Sequence, residues 1–184
     1  MSNLILIAGG AGQGKSFLVN ETLLKNNIQK DSTGKDFYTL SPQSKNQYIF
    51  DLNNEYRLPD DNILRPQMRH TRCDEIFFIE TCRKLRNTNI VFEDATGFLR
   101  GRQKKEIAQL IVQRRHAKNN YIILFHSIIR IPPELMEYAN YFILLKTGDN
   151  IRAIEQKFDN PEIIKMFQIV SASKKRISIQ KKLL

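Results

Sequence analysis

Within its first sixteen residues the chain places four glycines, a lysine and a hydroxyl in one fixed pattern: G-x-x-x-x-G-K-S, from Gly9 to Ser16. Each residue type meets a requirement of a bound polyphosphate. Glycines let the backbone turn tightly and aim successive N–H groups inward, with no Cβ in the way. A helix opening near Lys15 adds its positive end. Lys15 can reach the outer phosphates, and the Ser16 hydroxyl can take a place on Mg²⁺. The same spacing assigns Gly9, Gly10, Ala11, Gly12, Gln13, Gly14, Lys15, Ser16 and Phe17 to a nucleotide cradle.

Two further clusters could do chemistry beside such a cradle. The apolar stretch "NIVFED" ends in Glu93-Asp94. One carboxylate there would hold the Mg²⁺ shell together with Ser16, and Glu93, at the strand end, is placed for it. Asp94 would orient and polarise water against the outer phosphate. The stretch "YIILFHS" ends in His126-Ser127, where a polar side chain can contact that phosphate from a neighbouring strand.

These residues need a scaffold that brings strand ends together. Apolar runs predict strands at 4–8, 47–51, 89–93, 121–126 and 141–146, and apolar periodicity predicts helices at 15–25, 74–85, 102–116 and 133–138. Short Ile/Val/Leu/Phe strands alternating with helices predict an α/β fold whose parallel sheet is covered on both faces. In such sheets ligands sit at the carboxyl ends of the strands.

A length of 184 residues suits a single domain over 1–184, with no linker, repeat or low-complexity tract to divide it. No apolar run approaches the roughly 18 residues of a membrane span, and the opening strand predicts that no cleaved signal precedes it. Cys73 and Cys82 lack metal-type spacing and read as reduced thiols of a cytosolic compartment.

The net charge is +10, and it is unevenly distributed. Seven bases (Arg100, Arg102, Lys104, Lys105, Arg114, Arg115 and Lys118) face one acid, Glu106, in the same segment. After Glu162 there are no acids, while Lys165, Lys174, Lys175, Arg176, Lys181 and Lys182 make 165–184 a basic C-terminal segment. Such clusters meet a polyanion, either nucleic acid or an anionic lipid surface.

Taken in order, the motifs resemble the HerA/FtsK superfamily of P-loop DNA-pumping ATPases. They comprise the loop Gly9–Ser16; a strand ending in Asp51 with Asn54, Glu55 and Tyr56; the acids Glu93-Asp94; and "QRRHAKNNYIILFHS". The closing "IPPELMEYANYFILLKTGD" looks like the small viral and phage genome-packaging members, with zonula-occludens-toxin-like phage ATPases next. The chain has Glu-Asp where the family has Asp-Glu, His126 where it has Gln, and "NEY" where it has "GEY".

The resemblance implies a P-loop NTPase (RecA/ASCE-like) three-layer sandwich, with ATP and Mg²⁺ as cofactors. It implies an ATP-driven DNA translocase that packages a viral or phage genome. It also implies a homo-oligomeric ring, often a hexamer, acting on DNA without sequence preference in the host cytoplasm or the virion, at a capsid or portal vertex. In such rings an arginine from one subunit completes the next subunit's site; Arg114 and Arg115 are the candidates, with Arg100, Arg102 and Arg130 behind them. A secretion or assembly ATPase of a filamentous phage, a nucleotide kinase and a non-enzymatic DNA-binding module are the competing readings.

Overall fold

A computed structural model describes residues 2–20, 28–30, 36–38, 46–50, 56, 72–96, 99, 101–174 and 178–183. Strand β1 spans Leu4–Ala8, followed by helix α1 (Lys15–Leu18). A small antiparallel hairpin, β2 (Ile28–Lys30) and β3 (Asp36–Tyr38), stands apart from the main sheet. Next come β4 (Asn46–Phe50), α2 (Arg72–Lys84), β5 (Thr88–Phe92), α3 (Gly101–Ala117) and β6 (Asn120–Phe125). The chain continues through α4 (Pro133–Tyr138), β7 (Tyr141–Leu144), α5 (Ile151–Lys157), α6 (Pro161–Ala172) and β8 (Ile179–Lys182).

The main sheet has six strands in the order β4-β5-β6-β1-β7-β8. The first five run parallel, and β8 closes the edge antiparallel to β7. Strand β6 is inserted between β1 and β5, so the strand after the glycine loop and the strand before the acid pair are not neighbours. Alternation along β1 sorts its side chains between the two faces. Leu4, Leu6 and Ala8 join a core built with α2 to α6, while Ile5 and Ile7 join one built with Val19 and Tyr56. Helical residues thus cover both faces, which is the expected three-layer α/β sandwich.

Phe78 of α2 seats that helix on the sheet. Its ring stacks on Tyr48 at 4.5 Å and meets Phe50 and Phe92 edge-on at 5.0 and 4.9 Å. The five expected strands and the helices expected at 74–85, 102–116 and 133–138 recur with ends shifted by no more than two residues. Of the helix expected at 15–25, α1 covers Lys15–Leu18 and residues 21–25 lie outside the described residues, while β2, β3, α5, α6 and β8 were not expected. Strand β5 stops at Phe92 rather than Glu93, because Asp94 adopts φ 47° and turns the chain out of the sheet. Within the basic segment 165–184, Met166, Phe167 and Val170 of α6 are core residues, and 179–182 pair with β7.

At the amino ends of the strands, asparagine side chains replace main-chain partners. Asn120 accepts from the Asn3 N–H (2.8 Å) and donates to Asn89 (2.8 Å). Asn119 accepts from Thr88 N–H (3.0 Å) and donates to the Leu85 carbonyl (3.0 Å). Asn140 accepts from Leu4 N–H (2.8 Å). Buried donors are satisfied where the sheet begins, which leaves the carboxyl edge to carry the site.

Candidate functional site

Four turns follow β5, β6, β1 and β7, which are consecutive strands, and they lie side by side on the carboxyl edge. The glycine loop is fastened to both flanking strands. Gly9 N–H donates to the Phe125 carbonyl at 3.0 Å, and Gly10 N–H donates to the Lys146 carbonyl at 2.8 Å. Gly12 (φ 68°) and Gly14 (φ 89°) occupy left-handed backbone that a side chain would strain. Gly9 is required by space instead: a Cβ there would lie 3.0 Å from the Leu145 Cβ.

Lys15 is buried, at 7% exposure. Its Nζ donates to the carbonyls of Gly9 (2.8 Å) and Gly10 (3.1 Å) and stands 3.1 Å from His126 Nδ1. The Ser16 hydroxyl donates to Glu93 Oε1 at 2.8 Å. Glu93 is itself buried, and its N–H is pinned to the Phe50 carbonyl at 3.2 Å. The left-handed turn at Asp94 separates the two acids. Glu93 faces Ser16, whereas Asp94 Oδ2 stands 3.6 Å from His126 Nε2. Asp94 Oδ1 is enclosed without a hydrogen bond among the described residues. His126 therefore bridges the loop lysine and the second carboxylate.

A pocket of about 330 Å³ is lined by Ala11, Gly12, Gly14, Lys15, Ser16, Phe17, Glu93, Asp94 and His126. Every one of these residues was singled out from the sequence. Phe17 is 71% exposed, so a flat apolar ring stands at the pocket rim. The Ser16 hydroxyl and Glu93 carboxylate are adjacent hard oxygen donors, the kind Mg²⁺ takes alongside phosphate oxygens and water. The residues present thus fit the expected metal.

The arginines divide. Arg114 does not behave as an available cation. It is 4% exposed, and its guanidinium donates to the carbonyls of Ile111 (2.9 Å) and Tyr138 (3.0 Å) and to Asn140 Oδ1 (3.3 Å). Burial lowers its pKa, with the Arg115 charge adding to the effect. It lies at the end of α3 beside Asn140, at the amino edge of the sheet. Arg114 is thus held by its own chain, as a clamp between α3 and the Tyr138–Asn140 turn, away from the pocket of that chain. Arg115 is exposed at the same end. Arg130 is exposed on the short 3-10 turn after β6, on the same edge as the pocket. Asp51, Asn54, Glu55 and Arg100 lie outside the described residues, as does the Arg102 side chain; Tyr56 is a buried core residue.

Sequence reasoning passed over Asp149. Its carboxylate accepts from Ser127 Oγ at 2.5 Å and from Ile128 N–H at 2.7 Å, directly behind His126. The signal was the "TGDN" turn after β7, a strand end on the same edge as the others.

No protein-family model and no curated protein sequence matches the chain. Solved structures do. The genome-packaging NTPase B204 of Sulfolobus turreted icosahedral virus 2, in complex with AMPPCP, aligns with a TM-score of 0.68 at 14% identity, over 99% of this chain and 93% of that one. The DNA-packaging ATPase B204 of Sulfolobus turreted icosahedral virus aligns with a TM-score of 0.67 at 13% identity, over 98% and 92%. The N-terminal domain of zonular occludens toxin from Neisseria meningitidis gives 0.50 at 14% identity, over 100% and 95%. At these identities it is the fold that is shared, nearly end to end. The chain thus has the P-loop NTPase fold that these solved structures share.

Proposed function

We propose that the chain is a Mg²⁺-dependent ATP hydrolase that drives DNA into a viral or phage capsid. One observation carries the reading: Lys15, Ser16, Glu93, Asp94 and His126 converge on a single pocket at the carboxyl edge of a packaging-type P-loop fold.

The loop N–H groups and Lys15 bind the phosphates, with Lys15 exchanging its contacts to the Gly9 and Gly10 carbonyls for phosphate oxygens. Ser16 and Glu93 hold Mg²⁺, which when bound neutralises charge on the outer phosphates. Asp94 accepts a hydrogen bond from the attacking water and polarises it. His126, within reach of both Lys15 and Asp94, keeps the cation and the carboxylate in register about the outer phosphate. Phe17 at the rim offers a stacking face to the base. An exposed arginine from a neighbouring subunit, Arg115 or Arg130, adds positive charge where it develops in the transition state. This makes the active form a homo-oligomeric ring, a hexamer by analogy, working in the host cytoplasm or at the virion's portal vertex. The whole chain, 1–184, then acts as one ATPase domain.

The fold shared with the zonular occludens toxin domain keeps filamentous-phage secretion or assembly as the second reading. No helix among the described residues is long and apolar enough to cross a membrane.

The test is ATP turnover by protein of measured oligomeric state, alone and with single- or double-stranded DNA of unrelated sequences. Hydrolysis stimulated by DNA regardless of sequence, with binding that weakens steeply as salt rises, is the expected result. Turnover indifferent to DNA overturns the packaging reading, and phosphate transfer to a nucleotide acceptor revives the kinase.

A further inference from the structure

One carboxylate joins the turn after β6 to the loop after β7. Asp149 Oδ1 accepts from Ser127 Oγ at 2.5 Å, and Oδ2 accepts from Ile128 N–H at 2.7 Å. Ser127 and Ile128 immediately follow His126. The loop carrying Asp149 is fixed in turn to the glycine loop: the Lys146 carbonyl accepts from Gly10 N–H and Leu145 N–H donates to the Ala8 carbonyl, both at 2.8 Å. On the other side His126 Nδ1 stands 3.1 Å from Lys15 Nζ, which itself donates to the Gly10 carbonyl. The contacts close a circuit that runs from Gly10 through Lys146 and Asp149 to Ser127, then through His126 and Lys15 back to Gly10.

Asp149 does not line the pocket. The buried Ile128 side chain already holds the turn against the core, so the turn does not need Asp149 to stay folded. Apolar packing, however, is non-directional. Two hydrogen bonds to one carboxylate are directional and fix the turn's place along the sheet edge. Ser127 has extended backbone (φ −150°, ψ 139°), so a shift at its hydroxyl is carried directly into His126.

We propose that Asp149 is a positioning residue that sets the His126 ring between Lys15 and Asp94, and so governs turnover without binding nucleotide. The proposal deepens the ATPase reading and rests on it for its kinetic arm alone.

Asp149→Ala should lower kcat by about 10- to 100-fold, the scale of a misplacement near 1 Å at a reacting centre. Affinity for a non-hydrolysable ATP analogue should change less than about threefold, because no phosphate contact is lost. Asp149→Asn keeps the shape and one acceptor for Ile128 N–H, while its amide can donate to Ser127 Oγ; its rate should fall between Ala and wild type. The double variant Asp149→Ala/His126→Gln should turn over no more slowly than His126→Gln alone, since both changes act through one ring. Nucleotide-free protein supplies a readout independent of activity. The chain has three histidines, so the ¹⁵N ring signals of His126 are assigned by their loss in His126→Gln. Asp149→Ala should shift those signals and leave the rest in place.

The proposal is overturned if the His126 signals are unmoved, or if the two rate losses multiply. It is also overturned if Asp149→Asn melts with wild-type stability and turns over at the wild-type rate. Should wild-type protein fail to hydrolyse ATP, the ATPase reading falls, and the ring signals still decide whether Asp149 positions His126.

Discussion

Replacing Arg114 by alanine separates a structural cation from a catalytic one. The guanidinium makes three hydrogen bonds, to Ile111 O, Tyr138 O and Asn140 Oδ1. Hydrogen bonds from a charged donor contribute about 1.5–3 kcal/mol each. Against that stands the cost of removing a charge from water, of the order of several kcal/mol. Truncation removes both, but it takes a donor from the Ile111 and Tyr138 carbonyls at a 4%-exposed position, while the Asn140 amide oxygen keeps its bond from Leu4 N–H. The hydrogen bonds win, and the expected net loss is about 2–4 kcal/mol. For a chain of this length that is a fall in Tm of about 4–16 °C. Arg114→Lys should recover only part, because an ammonium cannot span three acceptors. Arg115→Ala, at an exposed site, should stay within about 0.5 kcal/mol of wild type. The assay is thermal and urea unfolding of all three variants, with ATP turnover corrected for the folded fraction. If Arg114→Ala melts like wild type and loses hydrolysis, the clamp argument is refuted and the residue acts on a neighbour's nucleotide.

Lys15→Ala should abolish hydrolysis and leave the fold intact, because the Gly9 and Gly10 N–H groups still fasten the loop to the Phe125 and Lys146 carbonyls; measurable turnover in a folded variant would remove the P-loop assignment. Glu93→Gln should lose Mg²⁺-dependent nucleotide affinity and Asp94→Asn should bind but hydrolyse poorly, read from analogue titrations with and without Mg²⁺ beside turnover; the reverse pattern would exchange their roles. Burial pushes the Tyr48 hydroxyl up to about 12, so the folded state holds that proton more tightly than the unfolded chain does. Its contribution is complete below pH 10 and declines by about 1.4 kcal/mol per pH unit as pH rises toward 12. Tyr48→Phe should flatten the alkaline limb of a stability–pH curve, and an unchanged limb would show that this hydroxyl stays solvated.

What the sequence made legible follows from where each residue's requirement is met. Gly12, Gly14, Lys15 and Ser16 answer to one another within a few positions, so their spacing alone discloses the cradle. The strands were legible because those buried on both faces read as unbroken apolar runs. Helix α6 carried readable signals, Asn160 as N-cap to Glu162 and Ile163 N–H and Pro161 at the first turn, but its lysine and the basic residues after it drew attention to charge instead. Strand β8, at the sheet edge, is short and lysine-rich, as edges often are, and charge masks its alternation.

Arg114 and Asp149 escaped for the opposite reason: their partners are distant in sequence. From "QRRHA" alone the two arginines are equivalent, and only the fold shows that Arg114 turns inward to Tyr138 and Asn140 while Arg115 faces out. The pairing of Asp149 with Ser127 joins the turns after β6 and β7, which are not neighbours in the sheet but flank β1 on either side. The two edges of the sheet therefore use polar residues differently. At the amino edge, Asn119, Asn120, Asn140 and Arg114 use hydrogen bonds to close main-chain groups. At the carboxyl edge, Lys15 donates to carbonyls of its own loop, and the side chains of Ser16, Glu93, Asp94 and His126 contact one another across strand ends. Those contacts can be exchanged for phosphate, Mg²⁺ and water without exposing the core, since the strands beneath are fixed by apolar packing and by the opposite edge. Variants at the amino edge should consequently move Tm, and variants at the carboxyl edge should move turnover.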